Sequence, residues 1–197
     1  MRFLNIALVA LVATVGAASA VAQGEDKKDN RPYFGLKLGV FMPTDGEMRD
    51  MFGSTVFAFG ISMDDFSRQP DKWRLTADFD FIVGRHDPDE DDLFPENKMF
   101  LLPVTASIGR VFGGDSSRAR PYVRFGAGVA YMDYSVTRPS TGERFSTKRG
   151  VPTANAEVGM LISDRVRISA RYDWFAKADD FDFSGLKLTA SVNLIRF

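Results

Sequence analysis

Alternation with a period of two runs through most of this chain, and it limits the fold more than any other feature. Over residues 73–83 one parity reads Trp73, Leu75, Ala77, Phe79, Phe81, Val83, and the other reads Arg74, Thr76, Asp78, Asp80, Ile82. A β-strand places those two sets on opposite faces. The same apolar parity recurs over 34–42, 57–63, 100–108, 123–131, 154–162, 166–174 and 186–194. The expectation is an all-β fold of about eight strands, an even number suited to an antiparallel up-and-down barrel.

The remaining question is what surrounds such a barrel. The chain opens with Met1 and Arg2, an apolar run over 6–18 and the small residues of "AASAVAQGE". That pattern predicts a secretory signal peptide over 1–22, cleaved after Ala20 or Ala22. The run is too short for the roughly 20 residues of a spanning helix, and no later run reaches that length. A polar, charged lead-in follows over 23–32, and the barrel domain is expected over 33–197. The chain has no cysteine, which excludes a lipid anchor on cysteine and a disulfide framework. A net charge of −1 and a pI near 5.9 argue against nucleic acid as a partner.

A soluble barrel with an apolar interior alternates too. Three features favour the membrane. Aromatic residues Trp73, Tyr131, Tyr172 and Trp174 fall toward the ends of apolar faces, where interfacial girdles belong. The opposite parity is rich in Gly, Ala and Ser with interspersed charges, as a narrow filled lumen requires. The last residue, Phe197, extends the alternating stretch "LKLTASVNLIRF" to the terminus. The connections also alternate between longer and shorter, with the longer set expected outside the cell.

On these residues the chain resembles the small outer-membrane β-barrel proteins of Gram-negative bacteria, of the OmpA/OmpX type. The resemblance covers 33–197 and is carried by the signal peptide, "RPYVRFGAGVAYMDY", "FLLPVTASIGRVFG" and "VNLIRF". It implies an eight-stranded transmembrane β-barrel in the outer membrane. It also implies outer-membrane lipid and lipopolysaccharide as surroundings, the barrel insertion machinery as a partner, and Phe197 as part of the C-terminal insertion signal. A monomer without cofactors is expected. The apolar parity through Leu194 puts Phe197 on the other face, so either a bulge resets the register near Asn193 or the signal is degenerate. Larger relatives append a domain that grips the cell wall; the chain ends at the barrel, so that tethering is not expected here.

If the apolar parity faces lipid, Lys37, Asp78, Asp80, Arg124, Glu157, Arg171 and Lys187 face the lumen, with Arg74, Arg167 and Asp173. Glu157 is the expected central acid, with Arg124 and Arg171 as partners. Such charges form either a fixed ion-paired plug or a rearranging network in a narrow pore. The segment "HDPDEDDLFPEN" invites a calcium-loop reading, but Asp92 stands where glycine is required and Lys98 where a bidentate Glu is required. His86 is the single histidine and has no serine nearby in sequence, so no hydrolytic site is expected. Arg138, Arg144, Lys148 and Arg149 make the third long connection basic. The function expected is a non-enzymatic envelope barrel with a narrow pore. The alternative is a surface adhesin or ligand-binding barrel acting through its loops.

Overall fold

In the computed structural model, which describes residues 33–64, 72–86, 96–113, 119–138, 141–162 and 166–196, the alternation becomes a closed antiparallel barrel. Its strands follow chain order: β1 (Tyr33–Pro43), β2 (Val56–Asp64), β3 (Trp73–His86), β4 (Asn97–Val111), β5 (Arg120–Thr137), β6 (Arg144–Leu161), β7 (Val166–Phe175) and β8 (Gly185–Arg196), which closes on β1. The expected signal peptide and lead-in over 1–32, and Phe197, lie outside the described residues.

The two parities separate as the alternation requires. Leu38, Phe57, Ile108, Phe125, Val158 and Leu194 stand exposed on the outer wall, while Lys37, Asp78, Arg124 and Glu157 are buried inside. A water-soluble protein would reverse those faces; hydrocarbon favours them, because a closed wall leaves no strand edge across its span. Sharp coiling of the wall needs glycine at two close approaches. A Cβ on Gly39 would stand 2.0 Å from the Leu188 carbonyl oxygen, and one on Gly128 2.0 Å from that of Val104.

At the seam, Gly35 pairs with Asn193 and Phe34 with Ile195, so Leu194 is an extra residue on β8. This bulge is a register reset near Asn193, one of the two alternatives that the sequence left open.

Two connections depart from the sequence reading. The third is mostly strand: β5 and β6 stay paired from Tyr131 with Gly150 out to Thr137 with Arg144, making a long ribbon. Val136, Phe145 and Thr147 supply the β-forming residues that extend it. The first contains a helix, α1 (Gly46–Phe52). Asp45 caps it by accepting the Met48 N–H at 3.1 Å, and Gly53, at φ 82°, closes it with its amide on the Arg49 carbonyl at 2.8 Å.

The interior is layered. At the end carrying α1 and the ribbon, called the loop end below, Phe41, Ile82, Leu101, Met132, Val151 and Phe175 pack inside the barrel. Met48, Met51 and Phe52 of α1 and Ala178, Phe181 and Phe183 of the β7–β8 loop join them as an apolar cap. The middle is ionic. Near the turn end a small cluster of Val111, Tyr122 and Leu161 completes the filling.

Lumenal ion network and loop-end cap

The seven lumenal residues read from the sequence are all inside the barrel and, with Asp173, form one connected array. Lys37 donates to Asp78 at 2.6 Å and lies 2.8 Å from Asp80. Arg124 reaches Asp78 at 3.0 Å and Glu157 at 2.5 Å. Arg171 binds Asp80 directly and Asp173 at 2.8 Å, and Lys187 bridges the same two acids at 2.9 and 3.3 Å. None of the eight is more than 5% exposed. Four carboxylates thus meet four cations, contributed by six strands. A lone ion in this position costs several kcal/mol, so the balance is what lets the charges stay buried.

The centre of the array differs from the one expected. Glu157 holds Arg124 and accepts from the Tyr122 hydroxyl at 2.6 Å, so it sits at one end. Arg171, its other expected partner, stands opposite Glu157 in register but turns to Asp173, two positions along its own strand face, and to Asp80 across the lumen. Asp80, with three cations, is the hub. Tyr122 was missed, although it shares the inward parity of Arg124. Below this layer Arg167 donates to Ser62 at 2.9 Å, and Arg74 stands opposite Gly109 in register.

The cap is tied by polar contacts at its rim. The Arg138 guanidinium lies 5.1 Å from the Phe145 ring centroid and 4.8 Å from that of Phe181, and its Nε is 3.4 Å from Glu47 of α1. One side chain therefore joins three connections. In the β7–β8 loop, Ala178 and Phe181 exchange backbone hydrogen bonds of 3.1 and 2.9 Å around Asp179 and Asp180, at φ 49° and 68°. That is the positive-φ geometry of a tight two-residue hairpin turn. Tyr134 and Thr147 donate to the Asp179 carboxylate at 2.5 and 2.7 Å, and these hydrogen bonds hold it below the usual carboxylate range.

The acidic stretch 87–95 lies outside the described residues. Among the described residues no cluster of three or more His, Cys, Asp or Glu could hold a metal ion. His86 is exposed at the loop end of β3, opposite Asn97 in register. The basic residues Arg144, Lys148 and Arg149 lie on β6 of the ribbon.

A closed eight-stranded barrel, apolar outside and ion-paired inside, defines a transmembrane β-barrel of the outer-membrane class. The chain belongs to the family of the outer membrane protein beta-barrel domain, whose model matches residues 7–193. No curated protein sequence matches it. Among solved structures, Neisserial surface protein A is 15% identical with a TM-score of 0.53, the match covering 86% of this chain and all of that one. Ail of Yersinia pestis is 16% identical over 86% of this chain and 100% of its own, with a TM-score of 0.48. The outer membrane enzyme PagL is 13% identical over 81% and 99%, with a TM-score of 0.47. Identities this low concern the fold and carry no activity from one barrel to another.

Proposed function

We propose that this protein is a closed, non-enzymatic outer-membrane barrel whose work is done at its outer surface and not by conduction through its lumen. The observation that carries this reading is the apolar cap, in which α1 and the β7–β8 loop pack with the inward side chains at the loop end. Water and ions passing through would have to cross that layer and then displace the ion pairs below it. A fixed plug therefore fits better than the narrow pore also suggested by the lumenal charges. The single histidine is exposed at the rim, away from the buried acids, which favours a non-enzymatic role.

With the loop end facing the exterior, exposed Arg85, Lys98 and Lys148 lie on the outer face near the loop end, positioned for lipopolysaccharide phosphates. A cleaved signal peptide, a monomeric state and delivery by the barrel insertion machinery complete the reading. Single-channel recording on refolded protein in a planar bilayer tests it. Wild type and Glu157→Gln should both be silent; discrete steps altered by Glu157→Gln would return the reading to a charge-gated pore.

A further inference from the structure

Opposite sides of the outer wall are built differently. Across β2, β3 and β4 phenylalanine rings meet in a series, Phe57 with Phe59 at 5.8 Å between centroids, Phe59 with Phe81 at 4.7 Å and Phe81 with Phe100 at 6.3 Å. The wall there is a filled ridge. β7 stands four strands from β3 in the closed ring of eight, and on that side the wall is hollowed into an apolar groove of about 670 Å³.

The groove crosses the seam where β8 meets β1. Leu38 and Val40 of β1 border it on one side and Val158 and Met160 of β6 on the other, with Ala170 of β7 and Ala190 of β8 as the low ground between them. In register Ala190 lies opposite Ile168 and Ala170 opposite Leu188, so the two alanines share one diagonal of a square and the larger side chains share the other. A furrow therefore passes between Ile168 and Leu188. The backbone shapes it too. A Cβ on Gly159 would stand 2.6 Å from the Ile168 carbonyl oxygen, a close approach of the same kind as that of Gly39 to Leu188. The wall turns sharply at β6–β7 and at β8–β1, which leaves β7 and β8 as a flatter panel between two corners.

The lining offers a ligand almost nothing polar. No charged residue takes part in it, and the two hydroxyl residues beneath, Ser169 and Thr189, bond to each other at 2.8 Å. Four strands at about 4.8 Å spacing make the groove roughly 14 Å across. A group the size of water fills about 30 Å³ of liquid, and a methylene is of similar size, so the volume suits a single hydrocarbon chain.

We propose that the groove seats one acyl chain of a membrane phospholipid, held there while the surrounding lipid exchanges. Lipid chains are as apolar as the wall, so residence comes from packing and not from the hydrophobic effect. A chain in the furrow meets side chains on its flanks as well as beneath, whereas one on the phenylalanine ridge meets them only beneath. The groove belongs to the turn-end half of the wall, since Ile168 is near the start of β7 at Val166 and Met160 adjoins the end of β6 at Leu161. With the loop end outside, that half meets the periplasmic leaflet. A second copy fits less well, because its closed wall is as broad as this one and cannot enter a furrow between two side chains.

This site goes beyond the closed-lumen reading and shares only its orientation. The test refolds the full barrel in vesicles of palmitoyl-oleoyl phosphatidylethanolamine, transfers it to lipid-free detergent and counts the phospholipid molecules that remain by native mass spectrometry. Wild type should keep one. Ala170→Leu combined with Ala190→Leu fills the furrow from the lipid side and should lower retention at least tenfold. Ala127→Leu, exposed on β5 outside the groove, should leave retention unchanged. The gel mobility of unboiled against boiled samples verifies that each variant is folded. No phospholipid on the wild type, equal retention by the filled variant, or an equal loss in Ala127→Leu would overturn the proposal. So would a wild-type dimer that the filled variant abolishes, which would assign the groove to a second copy. Conductance of the same preparations reports on the lumen alone, so failure of the closed-barrel reading and failure of the acyl-chain site are told apart.

Discussion

Replacing Asp80 by asparagine tests the interior most directly. The substitution keeps the shape of the side chain and removes the charge that faces Lys37, Arg171 and Lys187. Removing one partner of a buried ion pair costs about 3–5 kcal/mol. Here each orphaned cation keeps another carboxylate, Asp78 for Lys37 and Asp173 for the other two. The expected loss is therefore at the low end, about 3 kcal/mol. Equilibrium urea unfolding in phospholipid vesicles, read by the fluorescence of Trp73 and Trp174, measures it. Lys148→Met is the reference, because its pair with Asp133 is exposed and screened by solvent, so its loss should matter little. Adding Lys187→Met to Asp80→Asn removes one surplus cation and should recover about 1 kcal/mol or more. If Asp80→Asn unfolds at the same urea concentration as Lys148→Met, charge balance is not what supports the lumen.

Phe181→Ala should cost about 3 kcal/mol or more, since its ring is buried in the cap against Tyr134, Phe145 and Phe183; faster proteolytic nicking of the β7–β8 loop would report it. Because the Asp179 carboxylate titrates below its ordinary value of 3.8, its hold on this loop is complete above that pH and is lost as pH falls through the lowered folded value. Amide exchange at Ala178 and Phe181 should accelerate in that acid window, and Asp179→Asn should abolish the acid-dependent step. Asp180→Val should destabilise the turn by about 1–2 kcal/mol while Asp180→Gly does not, because Asp180 sits at φ 68°; thermal melts of the two variants decide this.

The wall was legible because a strand in lipid has only two faces and each was written in residues of one kind. Leu36, Leu38 and Val40 on one side of β1 and Lys37 on the other needed no tertiary information. The cap was not read because at the loop end both parities are apolar: Val40 and Phe41, or Phe100 and Leu101, look alike until the barrel separates them. Helix α1 did leave a signal. Asp45 stands before a stretch with Met48, Met51 and Phe52 at i, i+3 and i+4, a pattern hidden inside a segment short enough to pass for a loop. The inward charges were found by parity, but their pairing was not. Which acid becomes the hub depends on how far a side chain reaches across the lumen, and strand order says nothing of that.

The location of the two lumenal lysines bears on how the barrel is assembled. Lys37 is on β1 and Lys187 on β8, the two strands that meet last if the wall forms in chain order, and both end on Asp80 of β3. Within the eight-residue array, strands β3 to β7 alone set four carboxylates against Arg124 and Arg171, with Arg74 and Arg167 lower in the lumen. A chain whose seam is still open leaves Asp80 with Arg171 as its one partner in the array, and a buried carboxylate is costly unless paired. Zipping β8 onto β1 brings both lysines to Asp80 at once, so the last step of insertion is also the one that completes the array.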